Sequence, residues 1–200
     1  GIIMKNLKYI ISGIVVIVLG IGGYFILNKK HAPKPVAKHP YDFSGPCPGE
    51  IKTMKMDDNL MDGVISEGQN YKLIMSYYWC NPVKAGDIVL LRFSQTLDPV
   101  VRKVYAVPGD DFKVYYNSKQ NGWNVDVNEE TVMVRKAPYF FGASNPKLPP
   151  PLKLLEKSRD GTLLDREIII FSEVPPGNRD SGTLGVVNLN DVVGKVEVVK

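Results

Sequence analysis

Arg102 and Lys103 stand side by side in V-V-R-K-V-Y-A-V-P-G-D, residues 100–110, on an alternating apolar run that ends at a Pro-Gly-Asp turn. A lysine held in an apolar site loses its proton near neutral pH and can then accept one from a serine hydroxyl. An arginine cannot, because its guanidinium stays protonated under any ordinary protein condition. Successive strand residues point to opposite faces, so only one of the two cations can serve a given site without a bulge or register shift. Ser66 stands in I-S-E-G, and Asp180 and Ser181 stand together in N-R-D-S-G. For Ser66 the plainer role is a turn hydroxyl ahead of Gly68. For Lys103 it is a solvated cation on the outer face.

Histidine chemistry is excluded by position. His31 and His39 both fall in a Pro/Lys-rich stretch and read as solvated linker residues, which removes Ser-His-Asp and Cys-His catalysis. Any hydrolysis would need a base other than histidine, which leaves lysine, a carboxylate or an unseen metal. Cys47 and Cys80 form no C-x-x-C pair, and two thiols cannot make a four-ligand zinc site. They read either as a disulfide, stabilising by about 3–4 kcal/mol in the chain-entropy model, or as two small buried residues. No cofactor or metal is implied.

The elements that would position these groups follow from the hydropathy pattern. Of 200 residues 44% are apolar, and part of that fraction sits in one uncharged run, residues 9–27. At 1.5 Å per residue such a run matches the roughly 30 Å hydrocarbon core, so a single retained membrane helix is expected behind a short flank, residues 1–8. Lysines lie on both sides of it and do not fix the orientation. The cysteines favour a body outside the cytoplasm. Residues 28–48 are a Pro/Lys-rich linker. A net charge of +4 without a basic stripe gives no nucleic-acid signature.

From residue 49 onward the pattern is one of short β-rich runs separated by Gly, Pro, Asn and Asp, expected at 71–79, 88–93, 100–107, 112–116, 123–127, 131–135, 168–171 and 195–199. This spacing predicts a mainly β, antiparallel or mixed body rather than a βαβ fold. Only residues 151–157 have a helical look.

Four segments in order carry a resemblance: K-A-G-D-I-V-L-L at 84–91, R-K-V-Y-A-V-P-G-D at 102–110, N-R-D-S-G-T-L-G-V-V at 178–187 and V-V-G-K-V at 192–196. Together, behind an anchor, they resemble the type I signal peptidases and the related conjugative-transfer peptidases. The resemblance spans residues 55–199 and leaves an insert at about 117–166 to vary. It implies a β-rich body with a Ser-Lys dyad that cleaves exported preproteins after small residues, on the far face of the membrane. It also implies where the dyad should lie. The nucleophile box G-x-S-M-x-P-T-L-x-x-G-D is matched by D-N-L-M-D-G-V-I-S-E-G-Q at 58–69, anchored by Met61 and Gly68, which puts Leu60 at the serine and Asp58 at the oxyanion side. Gly63 replaces the family proline and Gln69 the final aspartate. Counting back from Pro108, the general base falls at Arg102. Asp180 and Ser181 match the supporting Asp-Ser, Gly185 matches the glycine, and Gly182 replaces the arginine between them.

The expectation is thus a membrane-anchored homologue that is catalytically inactive and binds extended exported or secretion-system polypeptides in the former substrate cleft. Arg102 would pair with Asp180 in place of a neutral lysine. One alternative is an active, divergent peptidase using Ser66 and Lys103. Another is a structural subunit of an envelope or secretion complex, with the insert as contact surface.

Overall fold

A computed structural model describes residues 49–93, 98–142 and 148–199. These residues belong to one compact unit, Ala37–Lys200. The expected membrane helix at 9–27, the linker and Cys47 lie outside the described residues. Among the described residues no helix is long and apolar enough to cross a membrane.

The body is mainly β, and among the described residues its strands pair antiparallel. A seven-stranded sheet runs β1 (Ile51–Lys55), β2 (Asn70–Met75), β13 (Val192–Val198), β3 (Ile88–Leu91), β4 (Val100–Ala106), β11 (Glu167–Phe171), β12 (Val187–Asn188). A second sheet is built from β5 (Phe112–Asn117), β6 (Gly122–Val127), β7 (Glu130–Thr131) and β10 (Phe141–Gly142), within the expected insert and its lead-in. Between β7 and β10 in sequence, β8 (Met133–Val134) and β9 (Ala137–Pro138) form a two-stranded hairpin.

The alternation in β4 sets the register that matters. Val89 lies opposite Arg102, and Ile88 lies opposite Lys103. Val89 packs with Leu91, Val100, Val104, Ile168 and Ile170. Ile88 packs instead with Leu73, Leu90, Val101 and Val196. The two cations therefore leave β4 on opposite faces, as period-2 geometry requires.

The segment from Met56 to Gln69 is a tight loop rather than a strand. Met56 and Gln69 close it through Met56 N to Gln69 O, 2.9 Å, and Gly68 N returns to Met56 O at 2.9 Å. Met56, Met61 and Ile65 are buried in the same cluster as Leu90 and Val101. Fully burying each side chain stabilises by about 1.5–3 kcal/mol, so the loop is fixed from below by its apolar positions.

Two expectations are refined in detail and a third is met. The run at 71–79 is strand only as far as Met75, because Ser76 takes a left-handed conformation, φ 56°, and Tyr77–Trp79 then form a 3-10 turn. The expected strand at 131–135 is two short pieces that end at Val134, because Arg135 and Lys136 both have positive φ, 49° and 69°. The helix Pro151–Ser158 forms where expected, with proline in its first turn, where its missing N–H costs nothing.

Candidate functional site

The site lies where the Met56–Gln69 loop, β4 and the segment after β11 meet. Asp58 Oδ1 accepts a hydrogen bond from Leu60 N at 2.9 Å, an Asx-type turn that holds the carboxylate in place. Its other oxygen, Oδ2, lies 3.5 Å from Arg102 Nη1. Leu60 is tied on its far side: its carbonyl accepts from Glu173 N at 2.8 Å and from Val174 N at 3.1 Å. The expected nucleophile position is thus held rigidly, but its side chain carries no nucleophilic atom.

Arg102 is completely buried, an unusual state for a cation. Its Nη1 donates to Val101 O and its Nη2 to Asn178 O, both at 2.6 Å. Burial pulls its pKa below the ordinary value, and the carboxylates of Asp58 and Asp180 offset that only in part. A guanidinium so placed remains charged and cannot take a proton from a hydroxyl. Its Nε has no hydrogen-bond partner among the described residues.

The expected Arg102–Asp180 ion pair does not form; among the described residues Asp58 is the acid paired with the guanidinium. Asp180 is also fully buried but is satisfied otherwise. Its Oδ1 accepts from Gly182 N at 3.0 Å and caps the short helix Ser181–Leu184 in a capping box with Thr183. Its Oδ2 accepts from the hydroxyl of Tyr139. Tyr139 in turn accepts from Gly177 N at 3.0 Å. Burial, and next the charge of Asp180, push the Tyr139 pKa up, so the phenol stays a donor. Ser181 Oγ accepts from Ile170 N at 3.0 Å and joins the same segment to β11. Gly177 is required by close approach, since a Cβ there would collide with Asp180 Oδ2.

Lys103 belongs to a separate cluster. Its Nζ lies 3.0 Å from Glu173 Oε1, and the same oxygen accepts from Tyr105 Oη at 2.8 Å. The ammonium also sits 5.2 Å from the centre of the Tyr105 ring, a cation–π contact. Glu173 is buried, whereas the Lys103 side chain keeps 29% of its surface in solvent, so the pair is half-buried. Ser66 is exposed in the turn that closes the loop: its N donates to Gln69 Oε1 at 3.1 Å and its carbonyl accepts from Gln69 N at 3.0 Å. Ser66 and Lys103 thus have separate partners. Met61 is buried beneath the loop.

The structure therefore brings together Asp58, Leu60 and Arg102, with Asp180 and Ser181 behind them, and keeps Ser66 and Lys103 in different hydrogen-bonded groups. Tyr139, Ser172, Glu173 and Gly177 join the site without a signal in the sequence that would have named them. Ser172 is fully buried, with its Oγ donating to Val174 O at 3.0 Å. Among the described residues no group of three or more His, Cys, Asp or Glu side chains could hold a metal.

The strand-borne cation Arg102 thus meets, through Asp58, the loop that carries Leu60, the residue expected at the nucleophile position. The family model "Signal peptidase, peptidase S26" matches residues 47–200, and the chain belongs to that family. No curated protein matches the chain.

Proposed function

We propose that this protein is a membrane-anchored signal peptidase homologue that has lost the family's chemistry and binds extended polypeptides in the former substrate cleft. The observation that carries the reading is the Asp58–Arg102 pair, 3.5 Å apart beside Leu60. In the register implied by the family boxes, Leu60 and Arg102 occupy the dyad positions. A site with an alkyl group for nucleophile and a fixed guanidinium for base has no route to an acyl intermediate.

Binding is supported by the sheet edge. β1 pairs with β2 on one side only and ends the strand order. Its chain runs directly into the Asp58–Leu60 loop, so an extended segment adding to β1 would be led to the site. Main-chain pairing of this kind supplies affinity without sequence dependence, and side-chain pockets supply preference. In this reading residues 9–27 anchor the chain, the body lies outside the cytoplasm, and Cys47 pairs with Cys80.

The test uses the full chain in detergent micelles with fluorescent peptides carrying small residues. Saturable binding, intact peptide by mass spectrometry and no labelling by a serine-directed acylating probe are expected. Cleavage that disappears in Ser66→Ala would overturn the reading and establish an active peptidase. Absence of binding, with complex formation disturbed only by changes in the 117–166 insert, would favour a structural subunit.

A further inference from the structure

We propose that the β8–β9 hairpin is an internal strap across the cleft, latched by Arg135 onto the Leu60 loop. Three observations support this. At its base, Tyr139 follows β9 directly and is bonded to Asp180 and Gly177, the C-terminal wall of the site. At its tip, Arg135 Nη2 donates to the carbonyl of Asp62, two residues beyond Leu60. The guanidinium lies over Gly63, where a Cβ would come within 3.2 Å of Arg135 Nε and Nη2. The hairpin therefore spans from one wall of the site to the other.

Its chemistry suits a contact that opens. Val132, Val134 and Tyr139 are buried, whereas Met133, Arg135 and Lys136 at the tip are exposed. The base is thus held by packing and the tip by the bond from Arg135 to Asp62. Both turn residues adopt positive φ, 49° and 69°, where Asn-Gly would be relaxed. A non-glycine pair in that conformation is kept at a cost, and such costs recur in switch and clamp segments. The latch is a cation on a neutral carbonyl, which exchanges with water or with a peptide carbonyl more easily than an ion pair does.

Regulating the cleft in this way rests on the peptide-binding reading above, but the latch can be tested without a peptide. Leu60→Cys places a reporter thiol on the latched loop, two residues before Asp62. Its alkylation rate is measured in the full chain, with the unsubstituted chain labelled in parallel to subtract Cys47 and Cys80. Adding Arg135→Ala should raise that rate at least about fivefold, and Lys136→Ala should leave it unchanged. Hydrogen exchange at Asp62, Val64 and Ile65, read in Arg135→Ala without the reporter, should rise in parallel and guards against a misfolded reporter variant. An unchanged thiol rate, or faster exchange without faster alkylation, overturns the strap. Peptide affinity, read on the same variants, should increase several-fold in Arg135→Ala, because the cost of opening is removed. If the thiol responds but no variant binds peptide, the strap stands and the binding function fails.

Discussion

Asp58 and Arg102 form an ion pair in which the guanidinium is wholly buried and the carboxylate side chain 25% exposed. Removing one partner of such a pair strands a buried charge, whereas replacing both by apolar groups of similar volume is often neutral. Asp58→Asn should therefore destabilise the body by about 3 kcal/mol, at the lower end of the usual range because Asp58 keeps some solvent. Asp58→Leu combined with Arg102→Met should recover most of that loss. Urea unfolding of the parent, Asp58→Leu, Arg102→Met and their combination, with Asp58→Asn read alongside, measures both effects.

The same geometry predicts what would restore chemistry. Leu60→Ser alone should remain inert to a serine-directed acylating probe, since Arg102 cannot accept its proton. Arg102→Lys with Leu60→Ser and Asp58→Ser supplies a nucleophile, a buried amine and a hydroxyl on the oxyanion side. That triple variant should become labelled at the substituted Leu60 position, seen as a mass increase on the 56–69 peptide. Equal labelling of the single and triple variants would refute the assignment of the dyad positions.

Tyr139→Phe removes a donor to buried Asp180 and an acceptor for Gly177 N. The cost should be about 1–3 kcal/mol, the penalty for leaving a buried polar group unsatisfied. The alkaline limb changes as well. The folded pKa of Tyr139 is raised above its ordinary value of 10.0, so its contribution is fully present below about pH 10. It is lost above that, as the unfolded chain sheds a proton that the fold retains. Tyr105, next to Glu173, is shifted in the same direction. Denaturation midpoints from pH 8 to 11 should fall in the parent and fall less steeply in Tyr139→Phe.

Gly177→Ala should be among the most damaging small substitutions in the body. Beyond Asp180, its Cβ would also collide with Ser172 Oγ and come within 2.6 Å of Tyr139 Oη, so three satisfied groups would have to separate. Overpacking of this kind costs about 1–3 kcal/mol, and a fall in thermal midpoint of several degrees reports it.

The central strands are legible in the sequence because their pattern is local. β3, β4, β11 and the helix at 151–158 announce themselves through apolar runs, alternation and a proline at the helix start. β1 is not, because I-K-T-M-K at a sheet edge buries no residue fully and so shows no apolar face. The break at Ser76 and the turn at Arg135–Lys136 use non-glycine residues at positive φ, which carry no composition signal. The site divides in the same way. Arg102, Asp58 and Leu60 can be placed by counting from motifs. The partner of Asp180 cannot, since Tyr139 is 41 residues away and set by how the second sheet returns to the first. Glu173 likewise reaches Tyr105 across 68 residues.

Arg102 is held at once by Val101 O, Asn178 O and Asp58, three anchors on separate stretches of chain. A lysine there reaches fewer of them, and a neutral residue at 58 abandons the charge that remains. Single substitutions at either position are therefore expected to cost stability. Under mutational drift such an arrangement would act as a ratchet: easily kept, and left only when several changes arrive together.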